Sequence, residues 1–189
     1  MIILGVDPGT LITGFGIIQV ERGQYSVIDY DVVKNSGAHS MPLRLKKIYD
    51  RLSEIINQYH PDEFAIETAF YSKNVQSALK IGYARGVSIL AAVNCQIPTS
   101  EYSPREIKKA VTGNGAASKQ QVQFMVKSQL KLRDAPKYFD ASDALAVALC
   151  HSFRISGRTN VRSTKKPSSK LRNWSDFIRT HPERIVRKK

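Results

Sequence analysis

The sequence predicts an α/β layered domain built on a mixed β-sheet. Three observations carry that reading. The chain opens on a short apolar run, Ile2-Ile3-Leu4-Gly5-Val6-Asp7, that stops at a Pro8-Gly9 turn signal, as a strand buried on both faces does. Two further strand patterns follow at once, joined by Arg22-Gly23 at hairpin spacing. Beyond them, segments of helical period alternate with short apolar runs, the pattern that parallel crossovers leave.

The elements follow in order. Gly14-Phe15-Gly16-Ile17-Ile18-Gln19-Val20 reads as the second strand and Tyr25 to Val33 as the third. A helix starts at Pro42, carries Leu43, Leu45, Ile48, Tyr49, Leu52, Ile55 and Ile56 at a period of about 3.6, and stops before Pro61. Glu63 to Glu67 is the fourth strand, Val75 to Asn94 a long helix, and Ile97 to Tyr102 the fifth strand. Ser103-Pro104-Arg105-Glu106 is a capping box with proline at the first helical position. Gly113-Asn114-Gly115 breaks that helix, and Ser118-Lys119-Gln120-Gln121 caps the next. A last helix is expected from Asp140 to about Phe153.

A chain of 189 residues suits one domain with room for a tail. At 42% hydrophobic content it can bury a core without disulfides or a structural metal. Cys95 and Cys150 form no CxxC pair, which excludes a cysteine-rich zinc site and predicts two free, buried thiols in a reducing compartment. The opening apolar run is too short for a signal peptide, and no run approaches the roughly 20 residues that span a bilayer. A cytoplasmic protein with no membrane partner is therefore expected.

The net charge of +13 is unevenly spread. Residues 1–150 carry 17 basic and 14 acidic side chains, a net of +3, whereas residues 151–189 carry 12 and 2, a net of +10. A polyanion, nucleic acid before membrane, is the partner that such a balance favours. From about Ile155 the composition turns polar, basic and rich in turn formers, with Leu171, Trp174, Phe177 and Ile178 at helical spacing beyond it. The expected organisation is a domain over residues 1–154 and a basic, flexible extension over 155–189 that includes a short helix.

Four acids stand where an interior would place apolar residues. Asp7 ends the first strand and Glu67 the fourth; Asp140 and Asp143 are three apart on one face of the last helix. Each has an ordinary reading taken singly: Asp140 as a helix cap, Asp143 as a first-turn acid favoured by the helix dipole, Asp7 as a turn former. Burying carboxylates together is costly unless a cation neutralises them, and an all-oxygen set suits Mg²⁺ or Mn²⁺ rather than zinc.

Gly5-Val6-Asp7-Pro8-Gly9-Thr10, Gly14-Phe15-Gly16, Ala65-Ile66-Glu67 and Asp140-Ala141-Ser142-Asp143-Ala144-Leu145-Ala146 resemble the active-site segments of RuvC-type Holliday junction resolvases. Between them, Ser77-Ala78-Leu79-Lys80-Ile81-Gly82, Ala84-Arg85-Gly86-Val87, Glu101-Tyr102-Ser103-Pro104 and Val111 to Lys119 resemble further segments of that family, in order. The resemblance covers residues 1 to 153. It implies a ribonuclease H-like fold with a five-stranded sheet, a homodimer, and Asp7, Glu67, Asp140 and Asp143 as catalytic metal ligands for two Mg²⁺ ions, with Mn²⁺ able to substitute. Paired nicks in a four-way junction, each leaving a 5′ phosphate and a 3′ hydroxyl, are the implied reaction. Lys108 and Lys119 match positions that handle phosphate, and Phe70 stacks on bases exposed at the opened junction, with Tyr71 beside it. RuvA- and RuvB-type branch-migration proteins are implied as partners.

In the long helix Ala78, Gly82 and Gly86 recur every four residues beside Val75, Leu79, Ile89 and Leu90, a row of small side chains that lets a second helix approach closely, and this face is expected to be the dimer contact. Three other readings are open to a sequence with this opening. Sugar kinases and actin-like ATPases share the first strand and its Asp-Gly-Thr turn, but they need about twice this length and a second phosphate motif. YqgF-type nucleases begin similarly and lack much of the long-helix pattern. A DNA-binding module without catalysis would have no use for four acids, which repel phosphate unless a metal intervenes.

Overall fold

The computed structural model describes residues 1–68 and 75–161, with side chains as far as Gly157. Its elements are β1 (Ile2–Asp7), β2 (Ile12–Glu21), β3 (Gln24–Lys34), α1 (Met41–Tyr59), β4 (Glu63–Glu67), α2 (Val75–Asn94), β5 (Thr99–Tyr102), α3 (Pro104–Thr112), α4 (Lys119–Gln129) and α5 (Phe139–Val161). The architecture below is that of the unit Met1–Gly157.

The sheet order is β3-β2-β1-β4-β5. β1, β2 and β3 run antiparallel, and β4 and β5 are added parallel to β1. The β2–β3 turn has positive φ at both Arg22 and Gly23, the two-residue form whose twist matches that of the strands. Alternation along β1 sends its side chains to two separate cores. Leu4 and Val6 join Phe15, Ile48, Leu52, Phe64 and Ala91 under α1 and α2, while Ile3 joins Ile18, Ala65, Ile107, Val126 and Leu145 under α3, α4 and α5. The result is the expected mixed five-stranded sheet with helices on both faces.

Both serine capping boxes are formed. Ser103 accepts from the Glu106 amide and Ser118 from the Gln121 amide, each with the reciprocal bond from the third residue. α5 is buried on every side from Ala141 to Ser152 apart from Asp143, so it runs as a central helix against the sheet.

Three expectations need correction. The fifth strand starts at Thr99 rather than Ile97, because Pro98 has no amide to give a ladder. The last helix begins at Phe139 and continues to Val161, past Phe153, through a polar stretch that holds no proline. Cys95 is exposed, one residue beyond the end of α2, and only Cys150 is buried. Leu171, Trp174, Phe177 and Ile178 lie outside the described residues.

Candidate active site

The site is assembled by three elements far apart in the chain. Asp7 ends β1, paired with Gly14 across to β2. On its other side β4 keeps register with β1 as far as Val6 opposite Ile66, so Asp7 and Glu67 leave the sheet as neighbours. Glycines bring in the third element. A Cβ on Gly5 would overlap the carbonyl oxygen of Ala144, one on Gly14 that of Asp140, and one on Gly16 would lie 2.8 Å from Leu145 Cδ2. Bare backbone at these positions lets the first turns of α5 lie against β1 and β2, which sets Asp140 and Asp143 beside Asp7.

Local hydrogen bonds hold the strand ends. The Thr13 hydroxyl donates to the Gly9 carbonyl at 2.6 Å, closing the turn that follows Asp7. Thr68, next to Glu67, donates its amide at 2.8 Å and its hydroxyl at 3.3 Å to the Tyr102 carbonyl. The Tyr102 hydroxyl lies 2.7 Å from His151 Nδ1, and His151 Nε2 lies 3.5 Å from Glu63. Tyr102 and His151 thus tie the Glu67 strand end to α5. Sequence reasoning missed this pair: His151 sits in a helical run that reads only as apolar, and no spacing rule links it to Tyr102.

A cleft of about 220 Å³ is lined by Asp7, Glu67, Asp143, Lys108 and Lys119, floored by Ile107 and Val122. Asp143 has 17% of its side chain exposed, and the Lys119 ammonium stands 3.2 Å from its Oδ2. Burial holds the Asp7 carboxyl well above its ordinary range, and Glu67, Asp143 and Asp140 push it further, with Lys119 pulling back. Burial together with Asp143 raises Glu67 to about 7, against the pull of Lys119 and Lys108. Asp143 is raised as well, by burial before Asp140, with Lys119 opposing. Burial would lower Lys119, but Asp143, Asp7 and Asp140 outweigh it and hold the ammonium charged.

Asp7, Glu67, Asp143, Lys108 and Lys119 therefore meet in one cleft. Asp140 acts on Asp7 electrostatically without lining that cleft. Phe70 and Tyr71 lie outside the described residues. Among the described residues no three His, Cys, Asp or Glu side chains are already set to hold a metal ion. The donor set nonetheless fits one: partly buried carboxylates without imidazole or thiolate are chemistry for a hard divalent cation, and the Lys119 ammonium already sits against one of them. Like charges repel, and a common cation is what would draw such oxygens together.

Comparison with known proteins agrees with this geometry. The family model for crossover junction endodeoxyribonuclease RuvC matches residues 3–151. The protein of that name from Chloroherpeton thalassium is 45% identical over 187 residues, 99% of this chain and 100% of its own length. That alignment runs on through the extension, which the family model does not reach. The one from Desulforamulus reducens is 50% identical over 152 residues, 80% of this chain and 93% of its own. Among solved structures, T. thermophilus RuvC in complex with Holliday junction substrate superposes with a TM-score of 0.80 at 32% identity, covering 84% of this chain and 97% of that one. The yeast mitochondrial resolvase Ydc2, at 12% identity and a TM-score of 0.57, shares the fold. The fold is thus ribonuclease H-like, and this chain belongs to the RuvC family of crossover junction endodeoxyribonucleases.

Proposed function

We propose that this protein resolves Holliday junctions as a divalent-metal-dependent endonuclease, with Asp7, Glu67, Asp140 and Asp143 as the metal-holding acids. The observation that carries this reading is the cleft itself. Three chain-distant carboxylates share it at a cost in desolvation and repulsion that a bound divalent cation would relieve. Mg²⁺, or Mn²⁺ in its place, supplies when bound an activated water and neutralisation of the leaving 3′ oxygen, so that the products carry a 5′ phosphate and a 3′ hydroxyl.

The chain's own groups do the rest. Asp7 lies on the central strand between Glu67 and the α5 acids, the position from which one carboxylate reaches both sides of a reacting phosphate. Lys119 offsets the negative charge of Asp143, and Lys108 faces the same cleft, where both can hold a phosphate oxygen. Phe70 and Tyr71, three and four residues past Glu67 in the sequence, are the aromatic side chains proposed to contact bases unpaired at the junction.

The working unit is a homodimer joined along α2. Val75, Leu79, Tyr83, Leu90 and Val93 are exposed apolar side chains on that helix, and nothing stands within 4 Å of a Cβ at Gly82 or Gly86. Two sites related by a two-fold axis give paired nicks in strands of like polarity. RuvA- and RuvB-type branch-migration proteins are the partners, and the cytoplasm is the compartment. No helix among the described residues is long and apolar enough to cross a membrane.

The decisive experiment incubates a synthetic four-way junction with the protein and Mg²⁺, beside a linear duplex and an Asp7→Asn variant. Paired symmetric nicks in the junction alone, absent with the variant, support the reading. A junction that is bound yet never cut with Mg²⁺ or Mn²⁺ refutes it.

A further inference from the structure

α3 divides two clefts. Pro104, Ile107 and Lys108, at spacings of three and four, face the acidic cleft, while Arg105 and Lys109, themselves four apart, face a wider one of about 720 Å³ with the loop of residues 113–116. Three cations on one nine-residue helix would ordinarily find acidic neighbours. Here none of Arg105, Lys108 and Lys109 forms an ion pair with a carboxylate of the described residues.

The one acid lining the second cleft is committed elsewhere. Glu106 accepts from the Ser103 amide at 2.9 Å and the Ser103 hydroxyl at 2.8 Å, and Arg154 lies 3.2 Å from its other oxygen. The cleft therefore presents uncompensated positive charge. Arg105 is also held in place. A Cβ on Gly115 would come within 2.7 Å of Arg105 Cγ and 3.2 Å of its carbonyl oxygen, so only glycine lets the loop lie on the arginine stem. A side chain braced along its stem carries its guanidinium with less entropy to lose on binding.

We propose that Arg105 and Lys109, with the loop of residues 113–116, form a shelf for the sugar-phosphate backbone of the DNA strand flanking the cut phosphate. The proposal rests on the nuclease reading for its ligand. Arg105 and Lys108 are three apart on α3, with Cβ atoms about 5–6 Å from each other, so the two clefts meet along adjacent faces of the helix, within about two nucleotides on a duplex axis that advances 3.4 Å per residue of each strand. A strand whose phosphate lies at Lys108 and Lys119 thus continues over Arg105 and Lys109. The shelf reads no base; it adds affinity through backbone contacts beside the cut phosphate.

The test is the salt dependence of binding. An Arg105→Gln/Lys109→Gln double variant is compared with wild type and with Lys131→Gln/Arg133→Gln, which removes two exposed charges from the turn beyond α4. Binding of a labelled four-way junction is followed across a salt series in EDTA, and single-turnover cutting is followed in Mg²⁺ at saturating protein. Removing the partners of two phosphates should flatten the log–log slope by about 1.8, roughly a 60-fold difference in affinity change per tenfold change in salt. The control should move it by less than half as much, and cutting at saturation should stay within about threefold of wild type. Gly115→Ala, which displaces Arg105 without removing charge, should weaken binding at low salt. An unchanged slope, or an equal change in the control, overturns the shelf. A slope that holds while saturated cutting collapses overturns it too, by placing the two side chains in the chemistry. If wild type binds junctions but cuts none, the nuclease reading fails while the slopes still decide the shelf.

Discussion

Gly14 and Asp140 are packed so closely that a Cβ on the glycine would overlap the backbone oxygen of the aspartate. Gly5 of β1 meets the Ala144 carbonyl in the same way, while Gly16 of β2 faces the Leu145 side chain, so at Gly5 and Gly14 the spacing of the strands from α5 is set by backbone against backbone. Nothing soft lies between them to absorb an added methyl group.

Gly14→Ala must therefore push α5 away from the sheet or strain β2. Overpacking of this kind costs about 1–3 kcal/mol of stability. A displacement on the order of 1 Å at the acids costs roughly a hundredfold in rate. Junction cleavage in Mg²⁺ should fall far more than the melting temperature does. Gly37→Ala, where nothing stands within 4 Å, is the control and should change neither by a measurable amount.

The acids exact a cost in the metal-free protein that has a definite pH sign. The folded state keeps a proton on Glu67 up to about 7, whereas an unfolded glutamate loses it near its ordinary 4.5. Folding thus takes up protons between those values, and stability without metal falls as pH rises from about 4.5 through 7. In EDTA the protein should melt higher at pH 5 than at pH 8. Asp7→Asn or Glu67→Gln should remove part of that difference and raise the pH 8 stability by on the order of 1–3 kcal/mol, while cleavage drops by roughly a hundredfold or more. Mg²⁺ should stabilise wild type at pH 8 and the variants much less. Equal melting curves at both pH values would break the argument.

Glu67 and Asp7 were legible in the sequence because a carboxylate at the end of an apolar strand has no packing explanation. Asp143 was legible through its spacing from Asp140 on a helix, and Asp140, which the same spacing offers, does not line the cleft. The caps, the hairpin turn and α1 were equally plain, each resting on local chemistry that neighbours in the chain decide. What stayed hidden depends on contacts between distant segments. Gly5, Gly14 and Gly16 look like strand weakeners until α5 is seen against them. Tyr102 and His151 meet across 49 residues. The two adjacent faces of α3 have no meaning until the sheet edge beside them is fixed. Strand β5 begins at Thr99, two residues past the rough start at Ile97, because the Ile97 amide bonds to the Ala92 carbonyl and Pro98 has no amide to give, neither of which hydropathy reveals.

Lys119 offers a prediction with two readouts that move in opposite directions. Its ammonium sits 3.2 Å from Asp143 and competes with any cation for that carboxylate. Lys119→Met should therefore tighten Mg²⁺ binding by about two- to fivefold, a modest gain because 60% of the side chain is exposed and screened. The same change should slow cleavage at saturating Mg²⁺ by at least about tenfold, since a donor to the phosphate is gone. Calorimetric Mg²⁺ titration and single-turnover kinetics measure the two. Weaker metal binding in the variant would mean that the lysine orders the acids rather than competing for them.

α2 carries the assembly prediction. Leu79→Arg places charge amid the exposed Val75, Leu79, Tyr83 and Leu90 without touching either core. Sedimentation should show a dimer for wild type and a monomer for the variant at micromolar concentration, with the melting temperature of the fold shifted little. Cleavage should change in kind as well as amount, from paired nicks to rare single ones. A variant that remains dimeric would move the interface off this helix.

Within the extension, residues 158–189 carry 11 basic and 2 acidic side chains, a net of +9 in a chain whose first 157 residues have a net of +4. α5 leads away from the acids: Gly157 lies 14 residues beyond Asp143, about 21 Å along the helix axis. Truncation after Gly157 should flatten the salt dependence of junction binding by several units, at about 0.9 for each phosphate no longer neutralised, and should weaken linear duplex binding in parallel. Single-turnover cutting at saturating protein should be largely retained, because every residue of the acidic cleft lies before the truncation. An unchanged slope with abolished cutting would instead assign the extension to the reaction.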